Sequence, residues 1–282
     1  MKMKILLVLS TFLLVAVALS GYLTYSTENA QAVDNAIEKL QEQKEKERQE
    51  LITKYNEFRD STDTGDFKRY ETFGTEHTVF EDLLSGGRAT IVFLGDSTTE
   101  QNDYTNGLPG HVEIISSKFH ELFGFDVKVR NAGVSGNDLL AMQERVRNDV
   151  LRFSPELVVV NSSLNDVVNE VSLNQFRQNY QTLIDSIKDG SDAKIILRTS
   201  NYTMSPEINE QLENGYNDAI KEIAKDNDLG FIDLYSYYKD QAENSSIDQL
   251  NFNHFHPNET GQELIANSVL FALIEGSSDA DF

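Results

Sequence analysis

Five short apolar runs alternate with amphipathic stretches along the later part of the chain. Each run is nearly continuous in valine, isoleucine and leucine, as expected of parallel strands covered on both faces. The runs are ATIVFLG at 89–95, DVKVRNAG at 126–133, ELVVVNSS at 156–163, AKIILRTS at 193–200 and GFIDLY at 230–235. The stretches between them show helical periodicity. Five strands alternating with helices predict an open, doubly wound α/β fold that begins near residue 89.

The start of the chain has a different pattern. Lys2 and Lys4 precede 19 consecutive residues without a charge, at 5–23. This length matches the roughly 20 residues that span a bilayer and exceeds the roughly 7–15 residues of a signal-peptide core. It favours an uncleaved anchor over residues 1–24, and a secretory signal cleaved near NAQA at 29–32 is the alternative. In both cases the rest of the chain is exported.

The next segment, 25–66, predicts a charged helical stalk or linker. Nine of the thirteen residues at 38–50 carry a charge, and this stretch contains no glycine or proline. Apolar residues fall near a three-and-four spacing, but Lys44 and Glu47 interrupt the seam. We expect a solvated helix held by side-chain pairs four residues apart, with weak self-association through residues 33–59 as the alternative. Residues 67–282 are then predicted to form the folded α/β domain.

Composition excludes several classes of partner and chemistry. The chain of 282 residues has 46 acidic and 24 basic side chains, for a formal net charge of -22. This charge opposes nonspecific attraction to nucleic acid or to anionic lipid head groups. There is no cysteine, so disulfides, thiolate catalysis and cysteine-ligated zinc are excluded.

Polar residues directly after the strands are the candidates for chemistry, because doubly wound sheets bind ligands outside the carboxyl ends of their strands. Ser97 follows the first run in the sequence GDSTTE. A serine becomes a nucleophile only with a base and with donors for the oxyanion, and the free N–H groups of a helix start could serve as such donors. A helix N-cap role for Ser97, Thr98 or Thr99 is the alternative. No GxxxxGK[ST] or GxGxxG phosphate loop follows this strand.

Four segments together resemble the sequence blocks of the SGNH (GDSL-type) hydrolase superfamily, in the same order along the chain. They are GDSTTE at 95–100, NAGVSG at 131–136, SLND at 163–166 and HPNETG at 256–261. The resemblance covers about residues 89–275. It implies a flavodoxin-like, three-layer α/β/α fold with a five-stranded parallel sheet of order 2-1-3-4-5. It also implies an esterase or related acyl-transfer activity that needs no metal and no cofactor.

The resemblance also implies roles for individual residues. Ser97 would be the nucleophile, and its own backbone N–H would contribute to the oxyanion hole. The backbone N–H of Gly136 and the side-chain amide of Asn165 would be the other two donors, and His256 would be the general base. Judged alone, Gly136 could be an ordinary turn glycine and Asn165 a helix cap. His254 competes with His256 but lacks the following proline.

Asn253 departs from the family pattern. The family usually has an aspartate three positions before the base, where a carboxylate orients the imidazole and stabilises the imidazolium. The amide of Asn253 is neutral and could hold the wrong tautomer of His256. Asp248, five residues upstream, could supply a carboxylate instead, although a solvated loop acid is the plainer interpretation. A weakened but functional site is expected.

A second departure is Ser163, which stands where the family commonly has glycine. It adds a hydroxyl near the expected oxyanion site. Asp166 follows Asn165 as the pattern requires, and we expect it to bond backbone N–H groups at the start of the following segment.

The function expected from these residues is that of an extracytoplasmic serine esterase or acylhydrolase. It would remove short acyl groups, acetyl included, from small esters or from cell-envelope glycans through an acyl-enzyme on Ser97. We expect a single-pass membrane protein with this domain outside, or a secreted protein after signal cleavage. The alternatives are an O-acyltransferase on envelope sugars and a catalytically weakened surface binding module. In the binding module, Asn253 in place of the usual aspartate would indicate the loss of turnover.

Overall fold

The computed structural model describes residues 27–61, 67–75, 79–84 and 86–275. The predicted anchor or signal at 5–23 lies outside these residues. Within the described part of the chain, no helix is long and apolar enough to cross a membrane. The chain divides into two compact units, Met1–Thr53 and Lys54–Phe282. The predicted boundaries at 24 and 66 stay predictions.

A single charged helix, α1 (Thr27–Ser61), occupies most of the predicted stalk. Its polar side chains pair one turn apart, as in the hydrogen bond from Gln43 to Glu47 at 2.9 Å, and such pairs stabilise a helix with little apolar surface to bury. The last turns of α1 belong to the second unit. There Tyr55 is buried and its ring lies 6.4 Å from that of Phe123. Self-association through 33–59 stays a prediction.

The second unit contains a six-stranded sheet in the order β1-β6-β5-β4-β2-β3. The strands are β1 (Thr72–Phe73), β2 (Ala89–Gly95), β3 (Val127–Gly133), β4 (Leu157–Asn161), β5 (Lys194–Arg198) and β6 (Gly230–Ile232). Strands β2 to β6 are parallel and lie in the order that the resemblance implied. The prediction of a wholly parallel, five-stranded sheet is wrong, because β1 pairs antiparallel with β6. A strand of two residues is too short to show a periodicity in the sequence.

Helices cover both faces of the sheet. After α1, those of the described residues are α2 (Val79–Leu84), α3 (Ser97–Glu100), α4 (His111–Phe123), α5 (Leu139–Asp149), α6 (Leu164–Val168), α7 (Leu173–Gly190), α8 (Pro206–Gln211), α9 (Asn217–Asp226), α10 (Leu234–Asn244), α11 (Ile247–Leu250) and α12 (Glu259–Glu275). A π-helical turn, Leu212–Tyr216, joins α8 to α9, and short 3-10 helices span Phe67–Arg69, Asn102–Thr105, Gly124–Asp126 and Leu151–Phe153.

The main core lies between one face of the sheet and helices α5, α7 and α9. Val92 and Leu94 of β2 belong to this core. Ile91 and Phe93 alternate with them and are also buried, so they face the opposite side of the sheet. On that opposite face of the sheet, helix α4 packs against β3 and against α12, and the ring of His111 at the start of α4 lies 6.1 Å from that of Phe93. Burial on both faces explains why β2 reads as one continuous apolar run.

The edge pairing of β1 with β6 depends on a close backbone approach at Gly230. A Cβ atom there would lie 2.7 Å from the carbonyl oxygen of Gly74 and 2.7 Å from Cγ1 of Ile196. Neither β1 nor the buried side chain of Ile196 can retreat without losing contacts. Glycine is therefore required where β6 meets β1.

Substituting alanine for Gly230 should separate β1 from β6. We expect Gly230→Ala to destabilise the protein by about 1–3 kcal/mol, a typical cost of forcing an extra methyl group into a packed site. Thermal unfolding of the full-length protein measures this as a fall of several degrees in Tm. An unchanged Tm for Gly230→Ala would contradict the close pairing.

Candidate active site

Ser97 is the first residue of α3, directly beyond the carboxyl end of β2. The N-cap is Asp96, whose Oδ1 accepts hydrogen bonds from the backbone N–H of Thr98 at 2.9 Å and from the Asn161 amide at 3.1 Å. The alternative that Ser97, Thr98 or Thr99 caps this helix is therefore wrong. Because α3 begins at Ser97, the backbone N–H of this residue has no acceptor within the helix.

The loop NFNHFHPNETG brings His256 to Ser97. It is closed by a bridge between Asn251 and Pro257 and by a hydrogen bond from the backbone N–H of Phe252 to the carbonyl of His256, at 2.8 Å. In this arrangement Nε2 of His256 lies 2.9 Å from Oγ of Ser97. The two residues are 159 positions apart in the chain, and only the fold brings them together.

The side chain of Asn253 lies on the opposite edge of the imidazole. Its Oδ1 is 2.9 Å from Nδ1 of His256. The same oxygen accepts the backbone N–H groups of Phe255 and His256, each at 3.0 Å. An N–H can donate only to the oxygen of an amide and not to its NH2 group. The two backbone donors therefore determine which end of the Asn253 amide faces the ring.

This orientation sets the tautomer of His256. Since Oδ1 of Asn253 can only accept, Nδ1 of the ring carries the proton, and Nε2 presents its lone pair to the Ser97 hydroxyl. The concern that an amide at 253 could hold the wrong tautomer does not apply here. What the amide lacks is the negative charge of a carboxylate, which would stabilise an imidazolium.

The two competing residues do not reach the ring. Asp248 lies exposed on α11, and the described hydrogen bonds of the His256 ring go to Ser97 and Asn253. His254 is exposed as well, and its carbonyl accepts the backbone N–H of Met204 at 2.9 Å. Asn253 and His256 are thus the residues that the fold places in line with Ser97.

The loop after β3 brings Gly136 to the same edge of the sheet. Gly136 has a φ of +77° in a turn closed by a hydrogen bond from Asn137 N–H to the carbonyl of Val134, at 3.2 Å. A positive φ at the third position of a turn favours glycine. Glu100, at the end of α3, accepts the backbone N–H of Ser135 at 2.6 Å. The loop is therefore tied to the helix that carries Ser97.

Asn165 follows β4, the strand that lies beside β2 in the sheet. It lies in α6, after β4, and its side-chain amide donates to the carbonyl of Asn137 at 2.9 Å. Only one of the two amide N–H groups makes this bond. Because the amide is bonded to the Gly136 loop, the segments that follow β2, β3 and β4 are joined into one frame.

Comparison with known proteins shows the family of the chain. The sequence profile of the GDSL-like lipase/acylhydrolase family matches residues 93–264, more than half of the chain. The chain belongs to this family. Membership makes it a carboxylic ester hydrolase and confirms the resemblance to the SGNH superfamily at the level of the family.

Individual relatives of this GDSL-like hydrolase are distant. An acetylxylan esterase of Geobacillus stearothermophilus is 24% identical over an alignment of 212 residues, and the match covers 66% of this chain and 94% of the relative. The crystal structure of that organism's acetylxylan esterase superposes with a TM-score of 0.59 at 20% identity, covering 66% of this chain and 95% of the other. An alpha/beta hydrolase from the metagenome of Lake Arreo, Spain, has a TM-score of 0.58 at 21% identity, with coverages of 69% and 98%. These likenesses support the fold.

Arg145 is a residue of the GDSL-like hydrolase site that the sequence did not single out. Its guanidinium donates to the carbonyls of Gly95 and Ala132, each at 2.8 Å, and to Oδ1 of Asn137 at 2.6 Å. It thus joins the ends of β2 and β3 to the loop that carries Gly136. In the sequence Arg145 is one of several charged residues on an amphipathic helix, and no signal distinguishes it from a solvated arginine.

A second unpredicted feature is a buried polar network beneath the helix of Ser97. Arg198, at the end of β5, is fully buried, and burial lowers its pKa to about 10. One of its nitrogens lies 3.5 Å from Nε2 of His111, whose pKa is lowered to about 3 by burial. Nδ1 of His111 contacts Oε1 of Gln262 at 2.6 Å, and the Gln262 amide donates to the carbonyl of Thr98 at 3.0 Å. The network therefore supports α3 from below.

Burial also changes the acidity of three groups near the reaction site. Desolvation raises the pKa of Asp96 and raises that of Asp166 to about 7. Asp166 accepts the backbone N–H of Leu139 at 3.3 Å. It bonds a backbone N–H group, as the sequence predicted, but this group lies at the start of the preceding helix α5 and not at the start of the following segment. Burial lowers the pKa of His256 below its usual value, which keeps the imidazole neutral at neutral pH. Within the described ranges, no cluster of three or more histidine or acidic residues could hold a metal ion.

Ser163, the second departure from the family pattern, is in a strained position. Its φ is +105°, its side chain is fully buried, and its hydroxyl has no hydrogen-bond partner among the described residues. Serine rarely adopts this backbone conformation, whereas glycine does so without a steric penalty. The hydroxyl also loses its hydration without a replacement bond.

Replacing Ser163 with glycine should therefore stabilise the protein, by about 1–2 kcal/mol from relief of strain and removal of an unpaired hydroxyl. Urea unfolding of the full-length protein measures this gain. Ser163→Ala is the matched control, since it removes the hydroxyl and keeps the Cβ atom, and we expect it to gain less than Ser163→Gly. Equal stability of the two variants would show that the backbone at 163 is not strained.

Proposed function

We propose that this GDSL-like hydrolase cleaves short acyl esters, acetyl esters foremost, through an acyl-enzyme on Ser97. The observation that carries this proposal is the continuous line of hydrogen bonds from Oγ of Ser97 through the imidazole of His256 to Oδ1 of Asn253. A base within hydrogen-bond reach of the hydroxyl, and itself oriented by a third group, is the arrangement that activates a serine. A module that only binds would not need the Nε2 lone pair turned toward a hydroxyl.

In the first half of the reaction, Oγ of Ser97 attacks the carbonyl carbon of the ester while Nε2 of His256 takes the hydroxyl proton. A C–O bond forms, and the electron pair of the carbonyl moves to its oxygen. When the tetrahedral intermediate collapses, the alcohol leaves with the proton from His256, and the acyl group stays on Ser97. In the second half, water repeats the attack with His256 again as the base, and the acid is released.

The negative oxygen of the intermediate needs preorganised donors. We assign this role to the backbone N–H groups of Ser97 and Gly136 and to the remaining amide N–H of Asn165. The bond from Asn165 to the loop of Gly136 supports the assignment, because it holds two of the three donors in one frame. Loss of one such donor typically lowers turnover by about 10²–10³-fold.

The choice of acetyl esters is supported by the likeness to the acetylxylan esterase of Geobacillus stearothermophilus, in sequence and in structure. We extend this to acetylated glycan of the cell envelope because of the N-terminal sequence. The uncharged segment at 5–23 would place the domain outside the membrane, either anchored or released after cleavage. No cofactor enters the proposed reaction, and the acceptor of the acyl group is water.

Hydrolysis of p-nitrophenyl acetate by the full-length protein tests the nucleophile. We expect Ser97→Ala and His256→Ala each to lower kcat by at least about 10⁴-fold, because each removes an obligatory part of the same step. His254→Ala is the matched control and should keep nearly full activity. Wild-type activity no greater than that of Ser97→Ala between pH 6 and 9 would refute the proposed function.

The pH dependence of kcat/KM tests the role of Asn253. Catalysis needs neutral His256, and burial lowers the pKa of this residue below the usual histidine value, so activity should be lost only as the pH falls below that usual value. In Asn253→Asp a carboxylate would favour the imidazolium and raise that pKa, by about 1–3 units for an adjacent opposite charge. We therefore expect the acid limb of the profile to move to higher pH and the plateau to rise.

Asp248→Asn is the control for this series, because Asp248 is exposed and should leave the acid limb in place. A shift of the acid limb in Asp248→Asn but not in Asn253→Asp would show that Asp248, and not Asn253, supports His256.

A further inference from the structure

The ring of Tyr104 lies flat on the imidazole of His256. Their centroids are 3.8 Å apart and the two planes differ by 10°. This separation is shorter than the roughly 4.5–7 Å found for most aromatic pairs, so one face of the imidazole is largely covered. Tyr104 comes from the 3-10 helix Asn102–Thr105, which follows α3 in the chain. No motif in the sequence singled out Tyr104.

The loop that carries Tyr104 is held by buried groups. Gln101 adopts a φ of +68° at the end of α3, and its side-chain amide donates to the hydroxyl of Thr105 and, at 3.1 Å, to the carbonyl of Leu108. Thr105 is fully buried. The 3-10 helix is therefore fixed at both ends, which keeps the Tyr104 ring over His256.

The covered imidazole lacks a charged partner. Its described contacts are the hydroxyl of Ser97, the neutral amide oxygen of Asn253 and the ring of Tyr104. Burial lowers the pKa of His256, so the positive charge that forms during catalysis is costly. The face of an aromatic ring is electron-rich and attracts a cation within about 6 Å of its centroid.

We propose that Tyr104 is a positioning residue of the esterase site, whose π-face holds the imidazole against Ser97 and stabilises the imidazolium that the neutral Asn253 cannot stabilise by charge. The proposal rests on the proposed function. The attraction is stronger for the imidazolium of the transition state than for the resting imidazole. It therefore acts on kcat and not on substrate binding.

The test compares Tyr104→Leu, which keeps apolar cover without a π-face, with Tyr104→Phe, which keeps the π-face without the hydroxyl. In full-length protein with p-nitrophenyl acetate, we expect Tyr104→Leu to lower kcat by about 5- to 30-fold with little change in KM. The acid limb of kcat/KM should move to lower pH, because the imidazolium is less stable. Tyr104→Phe should restore both properties to near the wild-type values.

Phe252→Leu is the matched control. Phe252 is 53% exposed and its ring contacts that of Tyr104, with centroids 5.9 Å apart. It is therefore an aromatic residue of the same cluster, and its described ring contact is with Tyr104 and not with His256. We expect this variant to leave the acid limb in place, whatever its effect on KM.

A second comparison separates charge stabilisation from simple packing. In the Asn253→Asp background a carboxylate stabilises the imidazolium, so the loss of kcat caused by Tyr104→Leu should shrink by at least about threefold relative to the Asn253 background. Equal losses in the two backgrounds, or a lower Tm with an unshifted pH profile, would overturn the proposal and leave Tyr104 with a packing role.

NMR titration of the His256 imidazole gives a readout that does not need activity. The pKa of His256 should be lower in Tyr104→Leu than in Tyr104→Phe, and an equal or higher pKa would overturn the proposal. If the wild type showed no hydrolysis dependent on Ser97, the proposed function would fail. The titration would still decide whether the Tyr104 ring stabilises the imidazolium.

Discussion

The candidate active site depends on three hydrogen bonds that converge on one atom, Oδ1 of Asn253. Two come from the backbone N–H groups of Phe255 and His256 and the third from Nδ1 of the His256 ring. Because backbone N–H groups cannot reverse their role, they fix the direction of an amide that could otherwise rotate by half a turn. The amide in turn fixes the tautomer of His256, and the tautomer leaves a lone pair for Ser97. The backbone of one short loop thus determines which atoms donate and which accept in the hydrogen bonds that join Asn253, His256 and Ser97.

A neutral residue at 253 removes a negative charge from the site and keeps the hydrogen bond that orients the His256 ring. A carboxylate would orient the ring and stabilise its positive form, whereas the amide only orients it. The basicity of His256 is then set by burial and, in our proposal, by the π-face of Tyr104. This division suits the proposed role of His256, a partly buried base that must be neutral at rest and charged only briefly. It also explains how a chain can lack the family's usual aspartate and keep the line from Ser97 to His256.

The rest of the site is held together by polar side chains that bond the strand ends and the loops after them. Arg145 binds the ends of β2 and β3, Glu100 binds the loop after β3, and Asn165 binds the same loop from the next strand. Below them Arg198 is fully buried, and its charge attracts that of Asp96 at the cap of α3. Such groups are costly to bury unless they are bonded. The strand ends are consequently joined by polar bonds as well as by apolar packing.

The sequence by itself determined the repeating strand and helix pattern, the serine after β2 and the histidine before Pro257, since apolar periodicity and local motifs are properties of neighbouring residues. It did not reveal β1, which is two residues long, and it left open which tautomer of His256 the Asn253 amide would hold. The orientation of that amide, the bonds of Arg145 and the stacking of Tyr104 were decided by the tertiary structure. They join segments far apart in the chain, and no local pattern records which distant groups the fold will bring within hydrogen-bond reach.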